Sequence, residues 1–117
     1  MPQYAALIYD RDADWTRPEF ADEIKEYGEF GEAAAAVLRG GAALYPTGTA
    51  TTLRMPAGRG TDVVASDGPY TETKEVLTGF YLIEAADLDE ASALAAKIPA
   101  IWHGGAIEVR PVIEFGG

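Results

Sequence analysis

Hydrophobic and polar positions follow one another in blocks that predict strands and helices. Residues 3–9 form a nearly continuous apolar run, which is typical of a central strand buried on both faces. Between residues 20 and 38, apolar residues recur at steps of three and four, which predicts a helix that packs one face on a sheet. Thr16 and Glu19 have capping-box spacing and predict the start of that helix, and the glycines of residues 39–41 predict its end.

The remaining pattern predicts a second strand, a hairpin, and then another strand, helix and strand. Asp87 and Glu90 repeat the capping-box spacing at the start of the second helix. Without the hairpin, the order is strand, helix, strand, strand, helix, strand, as in ferredoxin-like folds. We therefore predict one α+β domain over residues 1–117, a ferredoxin-like βαββαβ fold with an inserted β-hairpin. The predicted elements after the first helix are strand 42–45, hairpin strands 50–55 and 61–65, strand 79–85, helix 88–98 and strand 106–114.

A four-stranded sheet with both helices on one face leaves its other face uncovered. The predicted strands carry enough apolar side chains to need cover on both faces. A second copy of the chain, related by two-fold symmetry, is the simplest cover. We therefore expect a homodimer in which two sheets pair back to back as a dimeric α/β barrel.

Charge and composition exclude several classes of protein. Nineteen acidic and nine basic residues give a net charge of −10, which argues against nucleic-acid binding. The apolar runs are much shorter than the ~20 residues that span a bilayer, so we expect no membrane segment. The first residues do not resemble a signal peptide and cysteine is absent, and both observations favour a cytoplasmic protein.

The densest polar chemistry lies in residues 66–75, where Gly68 and Pro69 force the chain to kink. Asp67 could pair with Glu72 or Glu75, so that one carboxylate raises the pKa of the other and the protonated group acts as a general acid or base. The alternative is structural, because aspartate often bonds backbone amides within a turn.

Three further groups of residues are candidates for ligand contacts. Arg110 suits bidentate binding of a carboxylate, or an internal ion pair with Glu72 or Glu108. His103 is the only histidine, which makes a poor metal site without nearby ligands, and we expect neither metal nor cofactor. Tyrosine gives a pocket an apolar wall with one polar group, although the same residues also suit a dimer interface. The tyrosines that we expect between helix and sheet are Tyr9, Tyr45 and Tyr81.

Several of these segments resemble the DGPF-type branch of the YCII-related family. The similar segments are residues 4–9, residues 66–75, with Tyr70 in the phenylalanine position, residues 79–84, residues 87–99 and residues 107–111. The resemblance implies a dimeric α/β barrel and genes found near extracytoplasmic-function sigma factors. A shorter branch has a histidine on the first helix and an aspartate before the proline that ends the second. This sequence has no histidine between residues 20 and 38 and has Ile98 before Pro99, so that pair is not transferred.

Two functions from different classes follow from these observations. The first is a cytoplasmic homodimer that binds a small organic molecule near the polar turn and performs cofactor-free acid-base chemistry. The second is a non-enzymatic regulatory module in a sigma-factor stress response, with a protein partner of sigma-factor type. Under the first hypothesis the catalytic candidates are Asp67, Glu72 and Arg110, and the ligand-binding candidates are Tyr9, Tyr70, Lys74, Tyr81 and His103.

Overall fold

Six strands and two α-helices make up the computed structural model, which describes residues 1–116. Short 3₁₀ helices at Pro18–Phe20, Thr47–Thr49 and Pro99–His103 connect some of them. Neither α-helix in this part of the chain is long and apolar enough to cross a membrane. The elements are β1 Gln3–Arg11, α1 Ala21–Ala33, β2 Leu38–Ala43, β3 Thr51–Arg54, β4 Val64–Asp67, β5 Glu75–Glu84, α2 Leu88–Ala95 and β6 Ala106–Pro111.

The main sheet is antiparallel and has the strand order β2-β5-β1-β6. This order confirms the ferredoxin-like prediction, with β1 and β5 in the centre and β6, which carries Pro111, at an edge. Strands β3 and β4 pair only with each other and form a separate two-stranded sheet. The predicted hairpin insertion is therefore also confirmed.

Both helices lie on the same face of the main sheet, and the core is formed there. Alternate residues of β1, such as Ala6 and Ile8, are buried against the helices, while the residues between them are half-buried. The prediction that β1 is buried on both faces is therefore wrong for a single protomer, because the helices cover one face only. Ile83 of β5 and Ile98 after α2 are fully buried in the same core.

The first helix is shorter than its apolar pattern predicts. It begins at Ala21, and Thr16 does not cap it, because the amide and hydroxyl of Thr16 donate to Asp14 Oδ1 at 3.0 and 2.6 Å. Such local side-chain hydrogen bonds compete with helix formation. At the other end, the carbonyl of Val37 accepts from the amide of Glu84 at 2.9 Å, so the chain is already pairing with β5. Pairing with the central strand outweighs the helical propensity of the alanines that precede it.

The second helix begins as predicted. The side chain of Asp87 accepts a hydrogen bond from the amide of Glu90 at 2.9 Å, which confirms the capping interaction. The helix ends at Ala95, three residues earlier than predicted, and Pro99 starts a 3₁₀ helix. Gly104, with φ of +89°, ends that turn and leads the chain into β6.

Candidate functional site

A cavity of about 270 Å³ lies between α1 and the half of the main sheet formed by β2 and β5. Strand β2 is made of glycine and alanine at this point, so its small side chains leave room beside the helix. All of the lining residues are uncharged, and most are apolar or aromatic. The lining residues are Ile8, Trp15, Ile24, Tyr27, Gly41, Ala42, Ala43, Thr78, Gly79, Phe80 and Tyr81.

Trp15 is held at the cavity by contacts on the loop that follows β1. Its ring lies 4.7 Å from the ring of Phe20, measured between centroids. The guanidinium of Arg11 lies 5.1 Å from the Trp15 centroid, a cation–π distance. The same guanidinium donates to both carboxylate oxygens of Glu23 on α1, at 2.8 and 3.0 Å. Arg11 therefore fixes the indole against the helix.

The indole nitrogen of Trp15 has no hydrogen-bond partner. Within residues 1–116, Trp15 Nε1 is the one buried side-chain nitrogen or oxygen that lacks one. An unpaired buried donor costs about 1–3 kcal/mol, and such groups in native proteins usually have a reason. An indole nitrogen only donates, so the atom that suits this position is an acceptor.

Two tyrosines, Tyr27 and Tyr81, line the cavity. Burial raises the pKa of Tyr27 far above its ordinary value, and the nearby carboxylate of Asp10 raises it further. Burial also raises the pKa of Tyr81, whose ring centroid lies 5.1 Å from that of Phe30. Both phenols are therefore uncharged at neutral pH.

Charged groups surround the cavity without lining it. Asp10 is the last of the alternate buried residues of β1 and is 4% exposed. Its carboxylate accepts a hydrogen bond from the amide of Arg11 at 2.7 Å. On the outer side of α1, His103 Nε2 lies 2.7 Å from Glu26 Oε1. That hydrogen bond raises the pKa of His103, and the negative charge of Glu23 adds to the effect. No group of three or more residues suited to hold a metal ion occurs among residues 1–116.

The polar turn lies away from this cavity. Asp67 ends β4 on the hairpin sheet, and Lys74 is exposed just before β5. Tyr70 is also exposed, with the guanidinium of Arg54 at 4.8 Å from its ring centroid. Glu72 lines a second cavity of about 460 Å³, a polar one. The lining of that cavity is completed by Asp12, Thr47, Gly48, Pro69, Thr71, Thr73 and Val76.

The structure does not bring the predicted site residues together. Arg110 lies on β6 of the main sheet, where its side chain is 4.0 Å from Glu108, whereas Asp67 belongs to the hairpin sheet. Among the tyrosines expected between helix and sheet, Tyr81 lines the apolar cavity. Tyr9 is not among the lining residues, because it alternates with the core residues of β1, and Tyr45 is largely exposed.

Sequence reasoning missed Trp15 and Tyr27. Tyr27 was part of the apolar stripe of α1, which gave no sign that its side chain lines a cavity. Trp15 sits in a loop, residues 12–17, otherwise made of aspartate, alanine, threonine and arginine. A large aromatic residue in such a loop was the available signal, because loops carry many ligand contacts.

Comparisons with known proteins agree with the fold. An uncharacterised protein of Rhizobium meliloti (strain 1021) is 47% identical over 75 residues, which cover 63% of this chain and 58% of that relative. The chain therefore matches little more than half the length of this relative. A solved structure with TM-score 0.52 is 5-chloro-2-hydroxyhydroquinone dehydrochlorinase from Burkholderia phenoliruptrix AC1100, in complex with 2,5-dihydroxybenzoquinone. It is 18% identical, the match covers 92% of this chain and 90% of that one, and the similarity supports the fold alone. The model of the YCII-related domain matches residues 3–116, and the chain therefore belongs to the YCII-related family.

Proposed function

We propose that this protein binds an uncharged, ring-containing organic molecule in the cavity between α1 and the sheet. The observation that carries the proposal is this apolar, aromatic-lined cavity, whose wall includes Trp15, a residue with a buried and unpaired Nε1. Because Nε1 is itself buried, a ligand with an acceptor oxygen would recover the free energy that the unpaired donor costs when the indole turns towards the ligand. The dehydrochlorinase of similar fold holds a flat, oxygen-substituted ring, which supports this class of ligand.

The size and lining of the cavity restrict the ligand further. An apolar cavity of roughly 150 Å³ accommodates benzene. The volume of about 270 Å³ therefore suits one substituted ring or two fused rings. Aromatic side chains from the loop, the helix and the sheet provide flat apolar surfaces, and no charged side chain lines the wall to pair with an ionic group.

Ligand binding to Trp15 is testable with two related compounds. 1,4-Naphthoquinone has acceptor oxygens, and naphthalene has the same rings without them. We expect wild-type protein to bind the quinone about tenfold more tightly than naphthalene, which corresponds to ~1.4 kcal/mol for the indole hydrogen bond. Trp15→Phe should lose this preference, because phenylalanine keeps an aromatic ring and lacks the N–H group. Titration calorimetry gives both affinities.

Trp102 provides the matched control, because it is the other tryptophan of the chain and is largely exposed on the far side of α1. Trp102→Phe should retain the preference for the quinone and leaves Trp15 as the only fluorescent indole. Equal discrimination by wild type and Trp15→Phe would contradict the proposal, and so would saturation without any change in Trp15 emission.

The homodimer is the second part of the proposal. Alternation along β1 and β5 directs Ala5, Leu7, Tyr9 and Leu82 to the face of the sheet that lacks helices, where they are only half-buried. Such an apolar face is usually covered, and pairing with the same face of a second copy covers it on both protomers at once. Back-to-back pairing leaves the Trp15 cavity of each protomer on the outer, helical side.

The other two hypotheses, acid-base chemistry at the polar turn and a sigma-factor partner, remain predictions. Acid-base chemistry by Asp67, Glu72 and Arg110 would need these residues to approach one another, and the protomer holds Arg110 beside Glu108 instead. In the residues that the structure describes, we find no feature that favours a sigma-factor partner over ligand binding. The cavity wall is uncharged and largely apolar, so its lining favours the binding of an uncharged ligand.

A further inference from the structure

The indole of Trp15 keeps its donor away from water although the residue is only half-buried. Nε1 is buried and has no hydrogen-bond partner, whereas the residue as a whole retains part of its exposure to solvent. An indole that rotated freely would turn its N–H group to water and avoid the cost of an unmade hydrogen bond. Contacts with neighbouring side chains therefore hold the ring in its present orientation.

Two side chains make those contacts. The ring of Phe20 lies 4.7 Å from the Trp15 ring, and the guanidinium of Arg11 lies 5.1 Å from the Trp15 centroid. The same guanidinium lies 5.7 Å from the centroid of Phe20, so it contacts both rings of the aromatic pair. Arg11 is itself held, because its Nη2 donates to both carboxylate oxygens of Glu23 at 2.8 and 3.0 Å. The ion pair therefore joins the end of β1 to α1 and keeps the guanidinium over the indole.

The backbone of the loop is held by other bonds. Before Trp15, the carboxylate of Asp12 accepts hydrogen bonds from the hydroxyl of Thr47 and, at 2.9 Å, from its amide. On either side of Trp15, the amide and hydroxyl of Thr16 donate to Asp14. Rotation of the side chain is therefore the movement that Trp15 can make without breaking the bonds of the loop.

We propose that Arg11 restrains the indole of Trp15 in the ligand-free protein and so determines how strongly the cavity selects ligands with an acceptor oxygen. Rotation brings Nε1 to the ligand and takes the ring away from the guanidinium. The hydrogen bond to the ligand therefore competes with the cation–π contact, and the apparent affinity is reduced by the fraction of protein in which the indole has rotated. A ligand without an acceptor gains nothing from this rotation and is indifferent to Arg11.

This role of Arg11 rests on the proposed function of the cavity, and it assigns specificity to a residue that does not line the cavity wall. Arg11→Gln removes the guanidinium. We expect the variant to bind 1,4-naphthoquinone about threefold more tightly than wild type, the factor that corresponds to the loss of one cation–π contact. Its affinity for naphthalene should stay unchanged. Glu23→Gln loosens the guanidinium from α1 and should change the quinone affinity in the same direction by a smaller factor. Titration calorimetry measures both affinities.

Arg39→Gln is the matched control. Arg39 Nε forms an ion pair with Glu84 Oε2 at 2.7 Å, and within residues 1–116 its guanidinium lies over no aromatic ring. This variant should leave both affinities unchanged. If Arg11 only supports the shape of the site, its loss weakens both compounds together. That result, or an unchanged quinone affinity, overturns the proposed restraint and leaves the proposed function intact. A wild type that binds neither compound contradicts the proposed function itself, so the two failures are distinguishable.

The ligand-free protein provides a second measurement. In a Trp102→Phe background, Trp15 is the only indole. We expect Arg11→Gln to raise the rate constant for quenching of Trp15 fluorescence by acrylamide about twofold or more, because the released ring samples orientations that expose it to water. An unchanged rate constant would show that Arg11 does not restrain the ring and would overturn the proposal.

Discussion

The contact between Glu26 and His103 illustrates what a single pair of side chains does in this fold. It joins α1 to the 3₁₀ helix after α2, through a distance of 2.7 Å between Oε1 and Nε2. The hydrogen bond to Glu26 raises the pKa of His103 above its ordinary value of 6.5. Because the folded pKa is the higher one, the pair stabilises the fold fully below pH 6.5, and this contribution is lost as pH rises through the raised pKa.

Replacing Glu26 with glutamine should lower the pKa of His103 towards its ordinary value, because the amide removes the negative charge that favours imidazolium. His103 is the only histidine of the chain, so one imidazole signal in a two-dimensional NMR spectrum reports the titration. Glu29→Gln removes a charge one turn further along α1 and should leave the pKa nearly unchanged. An equal pKa in wild type and Glu26→Gln would contradict this account of the hydrogen bond.

Single residues also show where sequence reasoning is incomplete. The spacing of Asp87 and Glu90 predicted their capping bond because both partners lie within one helical turn. The same spacing at Thr16 and Glu19 predicted a helix cap that does not form, because Thr16 donates its hydrogen bonds to Asp14 instead. Tyr81 was predicted to line a pocket between helix and sheet, and it does. The donor of Trp15 was not predicted, because its burial depends on Arg11 and Phe20, whose positions follow from the fold rather than from local spacing.

At the scale of elements, β2 and β5 pack backbone to backbone beside the cavity. A Cβ atom added to Gly79 on β5 would lie 2.6 Å from the carbonyl oxygen of Ala42 and 3.3 Å from the Cα of Ala43. Backbone atoms cannot move aside as the end of a flexible side chain can. The pairing of these two strands, and with it the wall of the cavity, therefore requires glycine at this position.

Gly79→Ala should lower the free energy of unfolding by about 1–3 kcal/mol, the usual cost of forcing an extra methyl group into a packed site. Gly28→Ala on α1 is the matched control, because an added Cβ meets nothing within 4 Å. It should raise the free energy of unfolding by up to about 1 kcal/mol through helix propensity. Urea unfolding followed by circular dichroism measures both changes. If Gly79→Ala leaves the free energy of unfolding unchanged, then β2 moves to accommodate the methyl group without loss of stability, and this account is wrong.

The elements themselves were largely predictable, and their ends were less so. Strands β1, β5 and β6 and the hairpin were predicted from apolar runs and turn residues, and all are present. The end of α1 was not predicted correctly, because the alanines of residues 33–36 suit a helix as well as a connecting segment. Only the pairing of β2 with β5, which joins residues 36 to 45 positions apart, decides where the helix stops.

At the scale of the whole molecule, the protomer is a thin slab with extents of 46, 44 and 19 Å. Its radius of gyration is 16.5 Å, compared with roughly 13 Å for a compact chain of this length. The thickness corresponds to one layer of helices on one sheet, and β3 and β4 form a separate two-stranded sheet. This shape agrees with the proposed dimer, which the sequence analysis predicted from the number of apolar strand positions.

Leu7→Glu should weaken dimerisation about tenfold or more, ~1.4 kcal/mol, because it places a charge in the centre of the uncovered sheet face. Leu88→Glu is the control on the opposite side of the molecule, where the side chain is already half exposed. Light scattering coupled to size-exclusion chromatography distinguishes the two species. A Leu7→Glu protein that stays dimeric at low concentration would show that another surface holds the copies together.

The central position of β1 has a consequence for how the chain is made. Strand β1 precedes every other element, yet both strands that flank it, β5 and β6, lie in the last half of the chain. Contacts between residues far apart in sequence form slowly, because a long loop must close first. During translation, the apolar run of β1 therefore emerges early, and its pairing is complete only when β6, the last strand, has left the ribosome. We therefore expect chaperones to act on this nascent domain mainly between the emergence of β1 and the emergence of β6.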